Sequence, residues 1–271
     1  MPSARDTRAF DVPAFLSALR KAGCSLGEPF EYHALATSTN DLAKAGARAG
    51  ASAGATILTD EQSAGRGRHG RSWQAPPASA LLFSVVLRPQ LDPARLSLLT
   101  LAAGLGVREA IAATVDAPIG IKWPNDVYSG GRKLAGILVE SEMTAGRASA
   151  VVLGIGINVG VHEFAADLRG RAATLAELGA SVTREALLVS VLVKVEGWLC
   201  ALEANQTRRV VAELERWDVL LNQPIGVEGE QGVARGIDAE GRLRFEVGDT
   251  IRAVASGTIS WEPARIDPVS Q

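Results

Sequence analysis

The run Gly120-Ile121-Lys122-Trp123-Pro124-Asn125-Asp126-Val127-Tyr128-Ser129-Gly130-Gly131-Arg132-Lys133-Leu134-Ala135-Gly136-Ile137-Leu138-Val139-Glu140 decides the fold class. Gly120 to Trp123 reads as a brief strand that Pro124 ends, because proline has no N–H to donate to a ladder. Ser129-Gly130-Gly131-Arg132 reads as a hairpin turn that sends the chain back along Lys133 to Glu140. Val151 to Val159 follows as one more strand. Neighbouring strands joined by turns this short cannot all be parallel, since parallel neighbours need long crossovers. The sheet is expected to be mixed and largely antiparallel, and the class α+β.

Upstream, Asp11 caps a predicted helix over Val12 to Ala22, with Pro13 in its first turn and Gly23 ending it. Tyr32 to Leu35 predicts a strand, and Thr37-Ser38-Thr39-Asn40 a hydroxyl-rich cap for a helix from Asp41 to about Ala49. Ala55 to Asp60 is a further strand. Ala80 to Leu87 is apolar except for Ser84, as a central strand should be. Leu96 to Ala113 has helical spacing, and helices return over Arg184 to Glu203 and Thr207 to Leu220. After Asn222-Gln223-Pro224 the chain alternates short apolar and polar runs between glycines, which predicts a small β-barrel of about five strands. Two domains are expected, residues 1–220 and residues 221–271.

Composition narrows the function classes. The chain has 271 residues, 47% hydrophobic, with a net charge of -2, so no global positive field recruits nucleic acid. Cys24 and Cys200 are the only cysteines, too few for a disulfide framework or thiolate zinc site, and His33, His69 and His162 lack metal-ligand spacing. The longest apolar stretch, Ala186 to Leu202, is interrupted by Lys194 and Glu196, and the first eleven residues have no apolar run of the kind a secretion signal needs. A cytoplasmic protein without membrane association is expected.

The second informative stretch is Gly65-Arg66-Gly67-Arg68-His69-Gly70-Arg71-Ser72-Trp73. Glycines let a backbone approach a ligand, and guanidinium forks match carboxylate or phosphate oxygens two at a time. The glycine spacing also satisfies a dinucleotide-binding pattern. That reading fails, because Pro76-Pro77 denies the required helix and no acidic residue lies between Glu61 and Asp92. Polar residues gather at three further predicted strand ends: Ser38-Thr39-Asn40, Lys122 to Asp126, and Gly154-Ile155-Gly156-Ile157-Asn158. Taken alone, Lys122 also suits an edge lysine that discourages strand aggregation.

These motifs, in this order and with Gln62 before the arginine run, resemble the biotin protein ligases, from Thr37 through to the C-terminal barrel. The resemblance implies a biotin/lipoate ligase core of class II synthetase type with an SH3-like C-terminal barrel. It implies two steps: ATP-dependent formation of biotinyl-5′-AMP with release of pyrophosphate, then transfer to a lysine of a biotin carboxyl carrier protein, with Mg2+ assisting. It assigns Ser38, Thr39, Asn40, Gln62, Gly65, Arg66, Gly67, Arg68, Lys122 and Gly136 to biotin. Arg66, Arg68, Arg71, Trp73, Lys122, Asn125 and Asn158 go to ATP and the adenylate, with Lys122 and Arg68 as the catalytic pair. Trp73 would stack on adenine or be a core tryptophan, and Asn158 would meet the adenine edge or be a turn asparagine. Asp126 would hold Mg2+ through water or cap the hairpin, so the metal ligands stay unassigned.

Two features differ from the family pattern. His69 stands where many relatives carry another basic residue. Only 37 residues precede Ser38, leaving no room for the DNA-reading domain of some relatives, so the monofunctional type without nucleic acid is expected, as a monomer or weak homodimer. The alternatives are a lipoate or octanoyl transferase on the same core and a non-catalytic biotinyl-AMP-binding regulator.

Overall fold

The computed structural model describes residues 9–89, 95–144, 147–160 and 163–262. His162 and residues 1–8, about which the sequence raised expectations, lie outside them. The elements run α1 (Val12–Ala22), β1 (Phe30–Ala36), α2 (Thr39–Arg48), β2 (Thr56–Gln62), β3 (Ala80–Leu87), α3 (Leu96–Ala112), β4 (Gly120–Lys122), β5 (Asp126–Ser129), β6 (Arg132–Thr144), β7 (Arg147–Asn158), α4 (Arg184–Glu203), α5 (Thr207–Trp217), β8 (Pro224–Val227), β9 (Glu230–Ile237), β10 (Leu243–Val247), β11 (Thr250–Val254) and β12 (Ile259–Ser260).

The first sheet has seven strands in the order β1-β2-β3-β7-β6-β5-β4. Only β1 and β2 are parallel, joined through α2 as a parallel pair requires. The other neighbours are antiparallel. The expected mixed α+β sheet is therefore what forms. The decisive run contributes one strand more than its reading supplied: β5 pairs with both β4 and β6, and Gly130 and Gly131, both at positive φ, make the turn. The second sheet has five antiparallel strands, β11-β10-β9-β8-β12, consistent with a small SH3-like unit.

Local chemistry explains most boundaries. Asp11 Oδ1 accepts the Ala14 N–H at 3.0 Å and Gly23, at φ 68°, closes α1 onto Arg20 O, burying Phe15 and Leu19. The start of α2 departs from expectation. Ser38 is its cap residue, but the Ser38 hydroxyl makes no capping bond; Gln62 Oε1, from the end of β2, accepts the Thr39 N–H at 2.9 Å instead. The helix thus begins at Thr39, and β2 runs on to Gln62 beyond the expected Asp60. α5 stops at Trp217 rather than Leu220, because Val219 N–H donates to Ile121 O at 3.0 Å and seals the edge of β4. Helices α3 and α4 pack across one face of the first sheet, with Leu98, Leu105, Leu188 and Leu192 buried in one continuous core. The opposite face carries α2, whose small Ala43 and Ala47 join Ala55, Ile57, Val86, Ala150 and Val152 in a smaller cluster. Trp123, fully buried, donates its indole N–H to Gly241 O at 3.0 Å and ties the second sheet to the first.

Candidate active site

A cavity of about 530 Å3 opens on the α2 face. Of the residues anticipated for the site, Ser38, Thr39, Asn40, Gln62, Arg66, Gly67, Arg68, Arg71, Trp73, Lys122, Asn125, Gly136 and Asn158 all line it. Gly65 alone does not. It closes the base of the arginine hairpin, where an added Cβ would stand 2.3 Å from Trp73 O.

One end of the cavity is polar and neutral. Ser38, Thr39 and Asn40 are each 4% exposed or less. Thr39 and Asn40 are tied to Ser84, the lone polar residue of β3, whose Oγ lies 2.7 Å from Thr39 Oγ1 and 2.6 Å from Asn40 Oδ1. Asn40 Nδ2 donates to Glu140 Oε2 at 2.7 Å, so this side chain is spent on holding the wall. The Ser38 hydroxyl has no protein partner among the described residues. Gly154 permits the arrangement, since its Cβ would stand 2.1 Å from Asn40 Oδ1.

The middle of the cavity is cationic. Lys122, last residue of β4, is opposite Asp126 in register, and its ammonium lies 5.3 Å from the Tyr128 ring and 5.8 Å from the Trp261 ring. Burial pushes its pKa down, Asp126 opposes this, and Lys133, Arg171 and Arg71 add to the depression. Burial likewise lowers the Arg68 pKa against the pull of Asp126. Asp126 does not cap the hairpin: its Oδ1 is 2.7 Å from Lys133 Nζ, across the strand pair. This corner holds more positive charge than its carboxylates balance, which is what an anionic ligand requires.

The far end is aromatic. Trp73 lies flat against two bare glycines, with added Cβ atoms at Gly156 and Gly136 falling 2.7 and 3.0 Å from its ring, and Lys133 Nζ sits 5.4 Å from its centroid. Asn158 is buried, with its amide donating to Ala173 O at 3.1 Å and, more weakly, to Lys133 O at 3.4 Å, so its N–H groups staple the 172–175 segment to β7. Asn125 is similarly committed, donating to Ile137 O at 2.8 Å. Over the top runs the arginine hairpin, closed by Gly67 N–H to Arg71 O at 2.7 Å and Trp73 N–H to Gly65 O at 2.9 Å, with His69 at φ 55° in its tip. Gly257, Thr258, Ile259 and Ser260 bring the second sheet to the cavity wall.

The family comparisons agree with this geometry. The model of the biotin/lipoate A/B protein ligase family matches residues 32–158. The biotin--[acetyl-CoA-carboxylase] ligase of Mycobacterium tuberculosis is 34% identical over 233 residues, covering 82% of this chain and 85% of that one. The chain belongs to the biotin protein ligase family. The bifunctional ligase/repressor BirA of Salmonella typhimurium is 33% identical over 219 residues, covering 78% and 68%. Among solved structures, the Aquifex aeolicus biotin protein ligase in complex with biotin and ATP superposes with a TM-score of 0.76 at 28% identity, covering 88% of this chain and all of that one.

Sequence reasoning on this biotin protein ligase fold missed Ser84, Tyr128, Lys133, Arg171 and Trp261 around the cavity. Ser84 had a signal, as the single hydroxyl in a buried strand. Arg171 and Trp261 had none, since both reach the site from segments distant in sequence. Among the described residues no group of three or more His, Cys, Asp or Glu side chains is placed to hold a metal ion. No helix among them is long and apolar enough to cross a membrane.

Proposed function

We propose that the protein activates biotin with ATP to biotinyl-5′-AMP and transfers the biotinyl group to a lysine of a biotin carboxyl carrier protein. The observation that carries this reading is the order of surfaces along one cavity: neutral hydroxyl and carboxamide groups, then unpaired cations, then an aromatic face on glycines. A cyclic urea needs donors for its carbonyl and acceptors for its two N–H groups, and Ser38, Thr39 and Gln62 supply both. Asn40 acts on the same ring through the wall it holds.

The first step brings a carboxylate oxygen of biotin against the α-phosphorus of ATP, and pyrophosphate leaves. Two anions must meet, so preplaced positive charge is the main requirement. Lys122 and Arg68 face the junction, and an ammonium about 4 Å from a phosphoryl oxygen contributes on the order of 4 kcal/mol at an effective dielectric near ~20. Their depressed pKa values reflect the same desolvation, which strengthens their action on an arriving anion. Arg71 and Arg66 complete the hairpin, Trp73 offers its face to adenine, and Gly136 and Gly156 leave room beneath. Magnesium would enter as the ATP complex, held largely by phosphate oxygens, with Asp126 the carboxylate nearest the cations. In the second step the neutral lysine amine attacks the acyl carbon, the C–O bond to phosphate breaks, AMP leaves and the amine loses a proton. Of the two expected domains, 1–220 and 221–271, the first carries this chemistry, and Gly257, Thr258, Ile259 and Ser260 of the second supply one wall.

The test is biotin-dependent exchange between ATP and pyrophosphate, followed by the mass of a carrier domain incubated with ATP and biotin. Exchange should fall about a hundredfold or more in Lys122→Ala, the scale of one lost electrostatic donor. Near-normal exchange in that variant removes Lys122 from the proposed role. A preference for lipoate over biotin in the unmodified protein would refute the substrate assignment.

A further inference from the structure

Glu140 ends the run that decides the fold, and neither step just described uses it. Its half-buried carboxylate takes three partners from two segments, α2 and the arginine hairpin: Oε2 accepts from Asn40 Nδ2 at 2.7 Å and Arg66 Nη2 at 3.1 Å, and Oε1 from Lys44 Nζ at 2.9 Å. Asp41, in the first turn of α2, takes the same Arg66 nitrogen at 2.6 Å. We infer that Glu140 is a positioning residue which, together with Asp41, pins the base of the arginine hairpin through Arg66 to the wall that receives the polar ring, and so retains the adenylate under the hairpin.

The argument is a division of labour among the hairpin arginines. Arg66 has two carboxylate partners, whereas Arg68 and Arg71 have no ion pair among the described residues. Three cations of one short hairpin therefore do different things. Arg66 is neutralised by protein and fixes the hairpin to α2 and β6; Arg68 and Arg71 stay available to a ligand. Burial alone would raise the Glu140 pKa, but hydrogen bonds from Lys44 and Asn40, with the charges of Lys44 and Arg66, hold it below the usual range and keep the anchor anionic. Asn40 makes the anchor act on the ligand as well, because the carboxylate that grips the hairpin also orients the wall beside Ser38 and Thr39. A hairpin free at its base would close less often and release a hydrolysable acyl phosphate sooner.

The inference rests on the proposed activity for the identity of what is retained, so the experiment has one arm that does not. Hydrogen exchange in the ligand-free protein is followed at the Gly67 and Trp73 amides, which close the hairpin. Both should exchange at least tenfold faster in Glu140→Gln and in Asp41→Asn, and within twofold of the parent in Lys44→Met, which removes the contacts of Lys44 with Glu140 at 2.9 Å and Asp41 at 3.4 Å but leaves both carboxylates on Arg66. In the second arm, preformed biotinyl-AMP should leave Glu140→Gln at least tenfold faster than the parent. In an Arg66→Met background Glu140→Gln should add less than twofold to the exchange of the two hairpin amides. Unchanged hairpin exchange in Glu140→Gln, equal acceleration in Lys44→Met, or multiplicative effects in the double variant would each overturn the pin. Should Glu140→Gln fail to fold, Asp41→Asn carries the same expectations. A parent that forms no adenylate refutes the activity instead, and the exchange arm still judges the pin.

Discussion

Replacing Gly154 with alanine puts the neutral end of the cavity under direct test. The added Cβ would lie 2.1 Å from Asn40 Oδ1 and 2.8 Å from Asn40 Cγ. Carbon contacts below 3.0 Å are essentially never seen, so the carboxamide must retreat by about 1 Å. It has little freedom to do so, because Ser84 Oγ holds Oδ1 at 2.6 Å and Glu140 holds Nδ2 at 2.7 Å. Moving it sacrifices one neutral and one charge-assisted hydrogen bond, worth about 1 and about 2 kcal/mol, and adds about 1 kcal/mol of overpacking, for a total on the order of 4 kcal/mol. At the roughly 2–4 °C per kcal/mol expected for a chain of this size, melting should fall by about 10 °C. Because Thr39 moves with its helix turn, biotin affinity should fall by about a hundredfold, the scale of a 1 Å misplacement. Differential scanning calorimetry and biotin titration measure both. Gly46→Ala is the control: its Cβ would meet only Ala51 Cβ at 3.7 Å, an ordinary contact inside α2, so it should leave biotin affinity unchanged and, through helix propensity, raise stability by about 0.5–1 kcal/mol. A Gly154→Ala protein that melts within 2 °C of the parent and binds biotin within about threefold refutes the claim that close approach at this glycine builds the wall.

Other changes probe the frame around the site. Trp123→Phe removes the indole donor to Gly241 O and should cost about 1–3 kcal/mol in urea unfolding, since a buried carbonyl loses its partner. Arg184→Met breaks the buried pair with Asp60, whose other oxygen accepts from the Tyr32 hydroxyl at 2.5 Å, and should destabilise by about 3–5 kcal/mol; a loss under about 1 kcal/mol contradicts the burial argument. Asp218 has its carboxyl pKa pushed up to about 6 by burial, against the Leu220 N–H bond and with help from Glu215. A raised folded pKa means its contribution is fully present below about pH 4 and is lost as pH rises through about 6, a change on the order of 3 kcal/mol. Asp218→Asn, which retains an acceptor for Leu220, should flatten the stability profile between those values; an unchanged slope by pH-dependent melting rejects it.

Legibility followed the range of the interaction that builds each feature. The Val12–Ala22 and Arg184–Glu203 helices and the Ala80–Leu87 strand have the bounds their residues predict, because caps and periodicity act within a few positions. β5 escaped notice because four residues between a proline and a turn carry too little pattern, and only pairing on both sides makes them a strand. The start of α2 was misread for a related reason. Its cap comes from Gln62, a side chain twenty-three positions away, so no local signal for it exists.

The candidate site divides along the same line. Residue types and their order were enough for a glycine- and arginine-rich segment suited to anions, a lysine at a strand end, a mixed sheet and the family resemblance, because each depends on local composition and spacing. The jobs of individual side chains depended on who stands opposite. Arg66 and Arg68 have similar neighbours in the run Gly65 to Trp73 and both line the cavity, yet among the described residues only Arg66 is ion-paired, to Asp41 and Glu140. Asn40 reads as a ligand contact, and only the fold shows Ser84 and Glu140 at its two amide atoms. Electrostatic and steric partners are set by register and helix packing, which bring together residues such as Asn40 and Glu140 or Trp123 and Gly241 from distant parts of the sequence, and that information has no short-range trace in the chain.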